Sequence, residues 1–153
     1  MKEIIHNGLK FKANSDLFRA EQLDGSPAIT IRGNHYSDEI DEFTGKPRSN
    51  SRGSLVALID TKLKDFAICA EMKLLACNLD GFPQGGWLGV ALRAQDADNF
   101  ELVWFMPAGG GESNNVAYVP VAHGVVPWWT EAYENQKKGN AKLDPSDWFD
   151  VRV

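Results

Sequence analysis

Residues 87–106 read WLGVALRA, QDAD, NFELVWFM. The two outer runs alternate, and the middle four residues break the alternation. Asp and Asn favour such a break because their side chains bond nearby backbone and tolerate left-handed geometry. The pattern predicts a β-hairpin with its turn at 95–98. On the outgoing strand Leu88, Val90 and Leu92 share one face, and Trp87, Gly89, Ala91 and Arg93 share the other. On the returning strand Phe100, Leu102 and Trp104 alternate with Glu101, Val103 and Phe105. Both of its faces are apolar, so that strand alone does not assign the core side.

The same period of two recurs on either side. In FAICAEMKLL (66–75), Phe66, Ile68, Ala70, Met72 and Leu74 form an apolar face, and Ala67, Cys69, Glu71, Lys73 and Leu75 a mixed one. SLVALID (54–60) is a short run rich in β-formers. VAYVPV (116–121) reads as a strand with Pro120 at its edge or end, and His123-Gly124 as a turn. From Trp148 onward, Phe149, Val151 and Val153 point one way, and Asp150 and Arg152 the other. Helix signals are few. Thr130 and Gly139 bracket TEAYENQKKG, which predicts one or two turns, and Ser15 predicts a short helix over 16–23. DEIDEFTGKPRSNSRG (38–53), four acids followed by three basic residues, reads as a solvated loop. Short strands, Gly/Pro/Asn turns and no strand–helix alternation predict an all-β antiparallel sandwich or barrel. One domain is expected over 1–153. The last strand stops in mid-alternation, so its neighbour is expected from further sequence or from a second copy pairing through an open sheet edge.

Composition narrows the function. At 43% hydrophobic with eight Phe, five Trp and three Tyr, the chain is not of the disordered class. A net charge of −5 argues against a general nucleic-acid binder. No apolar run approaches the roughly 18 residues of a membrane span, and MKEIIHNGLKFK lacks the apolar stretch of a secretory signal. The compartment is not assigned. Cys69 and Cys77 lie eight residues apart. Along a strand that is roughly 26 Å, beyond the reach of a disulfide unless the chain turns back.

Each motif that could carry chemistry also has a plainer role. EIDE (39–42) resembles an acidic glucanase strand, but carboxylates on one strand face must recur at every second residue, and position 43 is Phe. QDADN (95–99) offers oxygens for calcium but lacks the glycine and distal Glu of an EF-hand loop, so a turn is the simpler reading. No cofactor is expected, with calcium shared between two loops as the one metal alternative. GGG (109–111) opens no helix and cradles no phosphate. None of the three histidines pairs at a zinc-binding spacing. Glu71, Lys73, Arg93 and Glu101 share the mixed strand faces by parity, and Gly89 and Ala91 among them would leave a hollow. That set admits a salt-bridge row, sugar hydrogen bonding, or an acid/base pair of Glu71 and Glu101. Trp128, Trp129 and Tyr133 cluster after Pro127. They suit either a stacking platform for sugar C–H faces or a lid over one end of the sandwich.

Taken together, DFAICAEMKLL, GWLGVALRAQDADNFELVWFMP, VAYVPVAHGVVPWW and DWFDVRV resemble the concanavalin A-like lectin/glucanase superfamily. They are closest to its laminin-G-like and 3-keto-disaccharide-hydrolase-like branch. The likeness covers about residue 54 to the end and rests on strand patterning, including Gly89-x-x-x-Arg93-x-x-Asp96 and Asn99-Phe100. Relatives often carry Arg-Pro where this chain has Met106-Pro107. The resemblance implies a jelly-roll sandwich whose concave face handles carbohydrate. Arg93, Tyr118, Trp128, Trp129 and His123 are then the expected binding residues, with Glu71 and Glu101 the candidate catalytic pair. Two alternatives remain beside a lectin-like domain: a glycoside-hydrolase-like enzyme and a protein-interaction module.

Overall fold

The computed structural model describes residues 1–31, 36–40, 47–49, 55–59, 61–75, 88–105, 115–124, 138–141, 143–144 and 147–153, with backbone alone for 36–40 and 47–49. All regular elements among the described residues are β-strands, and the pairs with a defined register are antiparallel. The protein is therefore all-β. Among the described residues no helix is long and apolar enough to cross a membrane. The chain divides into two compact units, 1–61 with 94–100 and 121–126, and 62–93 with 101–120 and 127–153.

The first unit opens with two tight hairpins. β1 (Lys2–His6) pairs with β2 (Leu9–Ala13), and β3 (Phe18–Leu23) with β4 (Ser26–Ile31). Their turns are Asn7-Gly8 and Asp24-Gly25, with φ of 48° and 76° in the first and 52° and 84° in the second. Positive φ at both central residues is the type I′ geometry whose twist matches that of paired strands. β5 (Tyr36–Ile40) pairs with β6 (Pro47–Ser49), and β7 (Ala57–Ile59) adds to β2, giving the order β1-β2-β7. Ile4, Ala13 and Phe18 form the buried centre, with Phe11, Ile29, Leu55 and Ala57 packed against them. Asn14 joins Val56 by two bonds: its backbone N–H donates to the Val56 carbonyl at 3.0 Å, and its Oδ1 accepts from the Val56 N–H at 2.9 Å.

The second unit holds β8 (Cys69–Met72), β9 (Leu88–Leu92), most of β10 (Phe100–Phe105) and β11 (Val116–Val121), β12 (Lys138–Gly139) and β13 (Phe149–Arg152). One sheet has the order β12-β11-β10-β9, and β8 pairs with β13. Alternation explains the core. Val90 stands opposite Val103, Leu88 opposite Phe105, Ala70 opposite Val151 and Met72 opposite Phe149. These faces meet in a cluster centred on Val90, Phe105 and Val151. The Phe105 and Phe149 rings pack edge to face, with centroids 5.9 Å apart. Both faces of β10 are covered, since Phe100, Trp104 and Phe105 are all buried. Pro120 lies past the stretch of β11 that β12 pairs, so its missing N–H leaves that pairing intact. The last strand finds its partner within the chain: Ile68 and Val153 exchange two backbone bonds of 2.9 and 3.0 Å beyond the β8–β13 ladder.

Further expectations are corrected. Residues 18–23 form β3 and no helix, because the Asp24-Gly25 turn pairs them with β4. Lys138 and Gly139, the expected end of a helix, form β12 against Ala117 and Val116; residues 131–137 lie outside the described residues. The expected solvated loop at 38–53 contributes Asp38–Ile40 to β5 and Pro47–Ser49 to β6. The last concerns the hollow over Gly89. A Cβ there would lie 2.4 Å from the Val103 carbonyl oxygen and 3.0 Å from Leu102 Cδ1, so β10 already occupies the space.

Candidate functional site

β9 stops because Arg93 turns left-handed, with φ of 48°. Such a φ is uncommon for arginine and breaks the strand alternation. Parity alone places Arg93 on the Gly89 face and away from the Val90 face. Glu101 stands opposite Leu92, hence on the Val90 face at its outer end. The left-handed residue brings the two side chains together across that parity difference. Arg93 Nη1 donates to both Glu101 oxygens, at 3.1 and 3.0 Å. The Arg93 side chain is 74% exposed and that of Glu101 only 28%.

Tyr118 completes the group. It lies on β11, next to β10 in the sheet, and donates its hydroxyl to the Glu101 carboxylate. That bond holds the Glu101 carboxyl below the usual value of 4.5, and the Arg93 hydrogen bond and charge add to the effect against partial desolvation. The same bond raises the Tyr118 hydroxyl above 10.0, with desolvation and the Glu101 charge contributing. Glu101 is therefore ionised at neutral pH. It serves as an acceptor and an anchor for Arg93, and it is poorly suited to deliver a proton.

The other expected residues fall elsewhere. Glu71 lies on β8 opposite Asp150, on the exposed face of the β8–β13 pair, while Glu101 lies in the four-stranded sheet. The two candidate carboxylates thus occupy different sheets. Lys73, on the same strand side as Glu71, places Nζ 5.8 Å from the Trp148 ring centroid. From the expected salt-bridge row, the Arg93–Glu101 pair forms. Cys69 is exposed with a free thiol, opposite Arg152; Cys77 lies outside the described residues. Trp128, Trp129 and Tyr133 also lie outside them, as do the GGG loop and Asp41 and Glu42 of the acidic motif.

QDADN forms a self-satisfied turn in the first unit. Asp96 Oδ1 accepts from the Asp98 N–H at 2.8 Å, and the Asn99 amide donates to both Asp96 oxygens at 2.8 and 3.0 Å. These bonds, chiefly the Asp98 one, hold the Asp96 carboxyl below 3.8, with the charge of His123 a small addition. Asn99 Oδ1 accepts from the His123 N–H at 3.1 Å, and the Asp98 carbonyl accepts from the Gly124 N–H at 2.9 Å. His123 is exposed in its turn, with φ of 52°. Among the described residues no group of three or more His, Cys, Asp or Glu is arranged to hold a metal ion. The carboxylate that calcium would need is committed to donors of its own turn.

The Gly89…Arg93…Asp96…Asn99 pattern thus has a structural meaning at each position. Gly89 permits close strand approach, Arg93 ends the strand, and Asp96 with Asn99 ties the turn. Two features escaped the sequence reading. The Tyr118–Glu101 bond depends on which strand lies beside β10, and the Trp148–Lys73 contact depends on the β8–β13 pairing. Comparison with protein-family models, curated proteins and solved structures finds no match.

Proposed function

We propose that this chain is a carbohydrate-binding domain of concanavalin A-like, jelly-roll architecture that recognises an oligo- or polysaccharide. One observation carries the reading. Glu101 and Tyr118 on neighbouring strands and Arg93 at the bend that ends β9 converge into a hydrogen-bonded, partly exposed group. Rigid strands fix such groups better than loops do, and a few fixed polar groups beside aromatic rings are how proteins orient sugars. Trp128 and Trp129 supply the rings in this proposal. The hydrolase alternative draws no support from Glu71 and Glu101, which belong to different sheets.

The test is a tryptophan-fluorescence titration of the full chain against neutral and acidic oligosaccharides, with and without calcium. A saturable change with one sugar class, lost in Trp128→Ala or Trp129→Ala and weakened in Tyr118→Phe, is expected. A flat response from folded protein across the whole panel overturns the proposal.

A further inference from the structure

We infer that the group recognised at this site is an anionic substituent on the sugar, a carboxylate or a sulfate, and that Glu101 acts as a positioning residue for Arg93. The inference rests on the carbohydrate reading above and names the ligand chemistry of the same site.

The balance of donors and acceptors points to such a group. A guanidinium has five N–H donors and no acceptor, and an ionised carboxylate only accepts. Arg93 reaches Glu101 through Nη1 alone. The Nε and Nη2 edge is engaged by no contact to a described residue, and the side chain that carries it is 74% exposed. Glu101 is the less exposed partner, and its two oxygens already accept from Arg93 and Tyr118. The Tyr118 proton is given to Glu101. Among the described residues, what the group presents outward is a pair of parallel, charged N–H donors on the exposed Arg93 side chain.

Neutral sugar hydroxyls both donate and accept, so a site for them needs acceptors as well as donors. Here both Glu101 oxygens accept from Arg93, and the more exposed partner of the pair is the donor. A carboxylate or sulfate brings acceptors only, and two of its oxygens match the fork of a guanidinium edge. The Arg93–Glu101 pair is neutral as a whole, and the chain carries −5 overall. Selection therefore comes from the geometry of the fork, not from long-range attraction. Without Glu101 the arginine loses its orientation but keeps its charge.

The experiment is calorimetric titration of the full chain with three tetrasaccharides: tetragalacturonate for carboxylate, a κ-carrageenan tetrasaccharide for sulfate, and cellotetraose as the neutral control. Wild type is compared with Arg93→Gln, Arg93→Lys and Glu101→Gln, each checked for folding by near-UV circular dichroism. One acidic probe is expected to bind in preference to cellotetraose, and which one it is identifies the anion. Arg93→Gln should weaken that binding about tenfold to a hundredfold, the worth of a charge-assisted hydrogen bond. Arg93→Lys should restore only part of the loss, because an ammonium lacks the fork. Glu101→Gln should weaken binding of the acidic probe although it removes a negative charge. A merely electrostatic site would show the opposite sign. Equal or tighter binding of cellotetraose, or unchanged affinity in Arg93→Gln, overturns the inference while leaving carbohydrate binding standing. Absence of binding in all three arms and across the wider panel overturns the carbohydrate reading itself.

Discussion

Gly89 provides the sharpest test of the strand register. It stands opposite Trp104 in the β9–β10 pair. A methyl group added there would sit 2.4 Å from the Val103 carbonyl oxygen, 3.0 Å from Leu102 Cδ1 and 3.1 Å from Trp104 Cα. Carbon–oxygen contacts relax at about 3.3–3.6 Å, so the backbones must separate by roughly 1 Å. Two of the three obstacles are backbone atoms, which cannot rotate away. Forcing extra volume into such a place costs about 1–3 kcal/mol, and removing a glycine from the unfolded chain returns only about 0.4–1 kcal/mol. Gly89→Ala should therefore lose about 1.3 kcal/mol net, or about 3–5 °C in Tm for a chain of this size. Gly139, on β12 of the same sheet, is the internal control. A methyl group added there meets nothing within 4 Å, so Gly139→Ala should be neutral or stabilising by up to about 1 kcal/mol. Gly8 also has open space, but its φ of 76° makes Gly8→Ala destabilising by about 1–2 kcal/mol through backbone strain alone. Urea unfolding of the three variants reads all of this. Gly89→Ala within 0.5 kcal/mol of wild type, about the ordinary spread of surface substitutions, refutes the register of β9 on β10.

Three further outcomes follow from the second unit. Glu101 has a lowered carboxyl value when folded, so its contribution to stability is full above the unfolded value near 4.5 and is lost as pH falls through the folded value. Stability curves of wild type and Glu101→Gln should then converge on acidification below that range; parallel curves contradict the assigned bonds. Phe105→Ala removes a buried ring from the core and its edge-to-face contact with Phe149, and should cost about 3–5 kcal/mol by urea denaturation. Glu71 and Asp150 are like charges directly opposite on an exposed ladder, so Glu71→Lys should stabilise by about 0.2–1 kcal/mol, with the gain shrinking in high salt.

Local pattern determined a large part of this protein. The β9–β10 hairpin, the β11 and β13 strands, the outward position of Cys69 and Glu71, and the turn at His123-Gly124 all follow from alternation and turn chemistry, which act over a few residues. Asn7-Gly8 and Asp24-Gly25 are hairpin-turn dipeptides, and the helix expected over 16–23 from Ser15 gives way to the strand pairing that the second of them closes. Tertiary structure alone decided the rest. Period-two alternation assigns a face, but it cannot say which strand lies alongside. So Glu71 and Glu101, expected together on one mixed face, part: Glu101 stands opposite Leu92 on the Val90 face of the four-stranded sheet, and Glu71 opposite Asp150 on the exposed face of the β8–β13 pair. Arg93, on the wrong face by parity, reaches Glu101 through one left-handed residue. Tyr118, 17 residues beyond Glu101 in the chain, supplies the bond that keeps it charged. A short-range code fixes where each side chain points along its own strand; only long-range pairing of strands brings charge, donor and acceptor to one place.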